Sequence, residues 1–187
     1  MSADNENTPP PKGPRFNVNV EYAKARAQEA IHKSEIIFTR AWGLLREPKK
    51  EWEQIKAEQT TIPHILIGYV APLAAIPPVC DLIGSALFNR LLQTEPGDAV
   101  VRAFVYWVVT VGLVFLLGFV INALADQFDG DSHDLSAHKI AAYSLTPSFL
   151  SGFFSLWPPL WWLSLFALAA MVFLMYRGLP ILMKAPE

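Results

Sequence analysis

The chain has 187 residues, of which 52% are hydrophobic, and its formal charge is −2. A single cysteine, Cys80, excludes an internal disulfide and any multi-cysteine metal site. Charge is divided unevenly: ten Lys/Arg and nine Asp/Glu precede Thr61, and only five Lys/Arg and eight Asp/Glu follow. The net figure therefore sums two unlike regions, and no basic excess points to nucleic acid.

Residues 1–17 combine three consecutive prolines with Asn and acids, and bury too little apolar surface to offset chain entropy, so this tail is expected to be disordered. It lacks the apolar stretch of a cleavable signal peptide, which makes the first span the expected insertion signal. From Val20 the pattern changes. Val20, Ala23, Ala27, Ala30/Ile31, Ser34, Phe38, Ala41 and Leu45 recur in steps of three and four, with Lys24, Arg26, Glu29, Lys33, Glu35 and Arg40 between them. That spacing predicts an amphipathic helix over residues 18–47 with a narrow stripe of small residues. Two uses are open to it: resting on a membrane surface, or docking on a partner through close helix approach. Pro48 ends it. A shorter amphipathic piece, 49–61, places Trp52 and Ile55 on one side, and Trp42 and Trp52 bracket Pro48 where indoles favour the headgroup level.

Beyond residue 61 the chain is a run of apolar segments at 62–88, 100–124, 138–156 and 160–177, each long enough for a hydrocarbon core of about 30 Å. Residues 105–121 read VYWVVTVGLVFLLGFVI, apolar on every side, where a soluble helix would carry a polar stripe. The first segment holds Pro63, Pro72, Pro77 and Pro78, followed by Asp81. Each interior proline removes a donor and crowds the preceding turn, which predicts a break near Pro77. The segment's apolar residues favour insertion by roughly 5 kcal/mol, and Asp81 opposes by at most about 3 kcal/mol, so insertion wins. Residues 89–101 read as a polar hairpin around Pro96-Gly97, 125–136 as an acidic loop, and Gly178-Leu179-Pro180 as the stop of the last segment. Arg46, Lys49, Lys50 and Lys56 place the N-terminus in the cytoplasm, and Arg177 and Lys184 agree after four crossings.

Chemistry is sparse. His133 and His138 with Asp126, Asp129, Asp131 and Asp134 form the one cluster of metal-ligand types, but their spacing fits no calcium loop and a solvated loop explains them better. No cofactor is expected. Asp81, the one intramembrane acid, invites a proton- or cation-handling hypothesis beside the proline break. Nothing pairs a nucleophile with a base or cradles a phosphate, so no enzyme is expected.

From about Ala41 the chain resembles the Yip-one family of Ypt/Rab-interacting membrane proteins, in its bacterial branch. Leu45, Pro48, Trp52 and Ile55 match a motif ahead of the first span, and GYVAPLAAIP at 68–77, with Pro72 and Pro77, matches the span itself. Phe128 and Gly130, then AAYSLTP at 141–147, with Tyr143, Thr146 and Pro147, and GLPILMKAP at 178–186, with Gly178 and Pro180, follow in order. The resemblance implies five spans, so the chain is expected to lack the last. It implies no binding residue: eukaryotic relatives are linked to Rab GTPases and vesicle traffic, machinery that bacteria lack. Asp81 and residues 1–40 depart from the family pattern. Independently of the resemblance, the small residues of 141–151 would let helices approach closely, with Tyr143 and Thr146 bonding across them.

The sequence thus predicts an all-α protein: a polytopic transmembrane bundle over 48–187 behind an amphipathic helix, in the bacterial inner membrane. Lipid and other membrane proteins are its expected partners. The expected role is that of a membrane-organising or accessory subunit. The alternative is a small permease or ion pathway using Asp81 at the Pro77-Pro78 break.

Overall fold

The computed structural model describes residues 15–87, 96–128 and 130–184. Among them every regular element is helical. The chain divides into two compact units, Met1–Phe38 and Thr39–Glu187. Within the first, the described residues belong to helix α1 (Arg15–Arg46), which continues into the second unit. Helix thus begins at least three residues earlier than the sequence suggests. The rest of the proposed disordered tail, 1–14, lies outside the described residues.

Pro48 does separate two helices. Glu47 leaves helical geometry and α2 (Pro48–Ala57) restarts with the proline at its first position, where a missing N–H costs nothing. The first apolar segment is then a chain of short pieces: α3 (Ile62–Ile65), a π-helical turn (Leu66–Val70), α4 (Ala71–Ala74) and α5 (Ile76–Leu87). Three prolines account for the interruptions. Pro72 cannot donate back into the turn before it, and there the ladder widens so that the Ala71 N–H bonds the Leu66 carbonyl five residues back. Pro77 and Pro78 cannot donate to the carbonyls of Leu73 and Ala74, and the helix breaks at Ala75, two residues before Pro77 and close to the expected place, where the Ala75 N–H turns to the Leu73 carbonyl.

Helix α6 (Pro96–Ala125) is the long apolar span. Pro96 and Gly97 lie in its first turn rather than in a hairpin, because proline suits a helix start; the remainder of that hairpin, 89–95, lies outside the described residues. A 3₁₀ turn (Asp126–Phe128) leads to α7 (Asp134–Ser144), α8 (Thr146–Leu150) and two further 3₁₀ turns, Ser151–Leu156 and Pro158–Leu163. Helix α9 (Ser164–Met183) closes the described chain. It runs through Gly178 and Pro180 instead of stopping there. Its final turn is held by burial of Leu182 and Met183 and by the Asp131 N–H, which bonds the Met183 carbonyl at 2.7 Å. Lys184, in left-handed geometry at φ 51°, ends it.

The second unit is an up-and-down bundle. Helix α6 packs on α7, α7 on α9, α2 on α9, and α5 on the 3₁₀ turn at Ser151–Leu156. Contacts at Asn122–Asp134, Lys139–Ile55 and Lys184–Asp131 gather at one end. Gly84–Ser155 marks the other. Among the described residues three helical stretches, Ile62–Leu87, Gly97–Ala125 and Pro159–Met183, are long and apolar enough to cross a membrane. The remaining passage, 134–156, is shorter-stepped and broken at Leu145, and its residues 137–144 are all buried: it fills the interior while the others face outward.

Candidate functional site

Two places collect polar side chains, one inside this bundle and one at its surface. The first is a sealed core where α2, the π-helical turn, α7 and α9 meet. The π turn buries Tyr69 and Val70. Thr146 lies 2.7 Å from the Tyr143 carbonyl, to which its hydroxyl donates. Pro147, four residues on, cannot give that carbonyl the usual helical N–H, so the hydroxyl joins the Leu145 N–H in serving it. With the Thr146 proton so committed, the Tyr69 hydroxyl is the donor in its 2.9 Å bond to Thr146 Oγ1. The Tyr143 ring sits 4.6 Å from that of Tyr69 and edge-on to Trp52 at 6.4 Å. Arg40, from the end of α1, lies 5.9 Å from the Tyr143 ring and is paired with Glu58 at 2.9 Å and Glu51 at 3.7 Å.

Trp52 is therefore not a headgroup anchor, although Trp42 is exposed. Its indole is fully buried over Gly178, where a Cβ would come within 2.8 Å of the ring. Glycine at 178 is what lets α9 approach α2, and Pro180 follows it, part-buried, inside the same helix. Of the sequence-selected residues, Trp52, Tyr143, Thr146, Pro147 and Gly178 come together here. Pro48 starts α2 beside them, Pro72 is exposed after the π turn, and Pro77 lies towards the opposite end.

Lys139 was not legible as a core residue. It is 4% exposed, and its ammonium donates to the carbonyls of Ile55 at 2.6 Å and Glu58 at 2.7 Å. These are orphan acceptors at the C-terminal end of α2, where helix polarity favours a cation. Lys139 thus clamps α2 onto α7.

The Asp/His cluster disperses. His133 caps α7, its Nδ1 accepting from the Ser136 N–H at 3.4 Å. Asp134 accepts from Asn122 at 2.6 Å, and Asp131 pairs with Lys184 at 2.6 Å. That exposed lysine holds the Asp131 carboxyl below the usual carboxylate range. His138 is buried against Phe115 and Phe119, at 5.2 and 5.1 Å, in a notch left by Gly118. Its Nδ1 lies 2.8 Å from the Asp134 carbonyl, which only accepts, so the ring carries its proton there. Asp126 lies in the 3₁₀ turn, and Asp129 is outside the described residues. Among the described residues no three His, Cys, Asp or Glu converge as a metal site would require.

The second place is a pocket of about 270 Å³ lined by Pro77, Pro78, Asp81, Ala99, Arg102, Tyr106 and Ser155, among others. It places Asp81 in one pocket with Arg102, near the start of α6.

A bundle of apolar helices around a fixed polar core defines an integral membrane protein. The chain matches the Yip1 domain over residues 42–187, and it belongs to that family. It is 29% identical over 148 residues to the inner membrane protein YohC of Escherichia coli K12, covering 74% of this chain and 76% of the relative; the YohC protein of E. coli O6:H1 matches equally. No solved structure matches. The family is not a known enzyme family, and residence in the inner membrane follows the relative and the apolar helices.

Proposed function

We propose that this protein is an accessory or scaffolding subunit of the inner membrane, its N-terminal helix binding a protein partner beside a rigid bundle. The observation that carries this reading is the helix itself. From Glu21 to Thr39 every described side chain is exposed except half-buried Ile37, and Tyr22, Ile31, Ile36 and Phe38 are among the exposed ones. A single helix in water gains little from propensity alone and is stabilised mainly by packing its apolar face. The core supports a holding role: Tyr69 bonds Thr146, Lys139 bonds two backbone carbonyls, and Arg40 pairs with the Glu58 carboxylate. The ion-pathway alternative draws no support from that core, and Asp81 shares a pocket with Arg102 rather than heading a line of polar groups through the bundle.

In this reading the N-terminus is cytoplasmic and the chain crosses four times. The passage at 134–156 crosses inside the others, which relieves it of the need to be apolar throughout. Removing residues 1–38 should leave the protein in the membrane fraction and folded, while proteins that co-purify with the full chain are lost. Affinity purification from gently solubilised membranes, with mass spectrometry of the eluate, reads this directly. Co-purification unchanged by the deletion would contradict the reading.

A further inference from the structure

Asp81 lies six residues inside Leu87, and Arg102 five inside Gly97, about 9 and 7.5 Å from the ends of their spans at 1.5 Å per residue. Both spans exceed a hydrocarbon core of about 30 Å, so the two side chains share a level at its boundary. Trp157 and Trp161, exposed just beyond Ser155, fit the aromatic belt expected there. Unlike charges at such a level normally pair, since each alone is costly. Yet among the described residues neither has an ion pair within 4.0 Å, although both line the pocket. Tyr106, one turn beyond Arg102, and Ser155 add hydroxyls to its wall. Its volume lies below the ~300–1,000 Å³ of sites for larger ligands.

We propose that this pocket holds the headgroup of a phosphoethanolamine lipid. The phosphate lies against Arg102 and Tyr106, the ammonium against Asp81, and the acyl chains extend along the outer surfaces of α5 and α6. A guanidinium suits a phosphate, and a carboxylate suits an ammonium with N–H groups to donate. A trimethylated choline has none and is bulkier; a glycerol headgroup lacks the positive charge. The site is independent of the N-terminal helix, so it stands or falls apart from partner binding.

The test reconstitutes the full chain into nanodiscs of equal parts phosphatidylethanolamine, phosphatidylcholine and phosphatidylglycerol, then counts lipids retained on ejection by native mass spectrometry. Phosphatidylethanolamine should be retained preferentially. Asp81→Asn and Arg102→Gln should each weaken retention by about tenfold, the worth of one charge-assisted hydrogen bond. Asp81→Glu and Arg102→Lys should keep most of it, and they separate loss of charge from misfolding. Equal retention of the three lipids, or undiminished retention by Asp81→Asn, would overturn the proposal. Displacement by soluble glycerophosphoethanolamine at the lipid's own concentration would overturn the lipid as the source and assign the pocket to a free zwitterion.

Discussion

Lys139→Met should destabilise the bundle by about 3 kcal/mol, one of the largest single-residue effects expected in this protein. The side chain is buried, and both of its partners are backbone carbonyls of the α2 end, at 2.6 and 2.7 Å. Two terms oppose. Removing a buried ammonium recovers the cost of its desolvation, and methionine fills nearly the same volume. Against that, each carbonyl left without a donor costs about 1–3 kcal/mol, and each lost bond was charge-assisted. The second term wins because the ammonium was already well satisfied where it stood. Thermal unfolding in detergent, followed by tryptophan emission, checks this; an unchanged midpoint would show that α2 does not depend on the clamp.

Gly152→Ala should cost about 2–3 kcal/mol, more than a surface methyl ever would. A Cβ at 152 would lie 2.6 Å from Pro77 Cα and 2.7 Å from Pro77 N, backbone atoms that cannot swing aside. Gly84 makes the reciprocal approach, its Cβ position 2.5 Å from the Ser155 carbonyl oxygen. The first and third passages therefore touch backbone to backbone at two points. In lipid, where apolar surface gains little by leaving its surroundings, such close packing is a main source of helix association. Gly112, which meets nothing within 4 Å, supplies the control: Gly112→Ala on the outer face of α6 should be tolerated. If Gly152→Ala and Gly112→Ala unfold at the same temperature, the glycine contact does not organise the bundle.

The parts of this architecture that were legible in the sequence arise from local or solvent physics. Uninterrupted apolarity at 105–121 announces a span whatever surrounds it, and the breaks at Pro48 and Pro77 follow from a missing N–H within a few residues. What escaped depends on distant partners. Trp52 reads as an interfacial indole until Gly178, far along the chain, is placed beneath it. The helix persists through Pro180 because Leu182 and Met183 are buried and the Asp131 N–H serves the Met183 carbonyl, neither of which the local residues reveal. Lys139 looks like an ordinary span-end charge, since backbone carbonyls as partners leave no trace in side-chain pattern. That Asp81 and Arg102 line one pocket had a signal: unlike charges at similar distances from the facing ends of two consecutive spans. Counting inward from the two span ends would have found it.

The membrane-embedded bundle requires lipid around α6, and spin labelling at Val109 tests that most directly. Val109 lies in the middle of the apolar span and is exposed, whereas Val114, in the same helix, is buried. In reconstituted vesicles a label on Val109→Cys, in a Cys80→Ser background, should collide freely with oxygen and hardly at all with a water-soluble nickel chelate. A label at Val114→Cys should collide with neither. Strong collision of the Val109 label with the nickel chelate would place that face in water and contradict the membrane-embedded bundle.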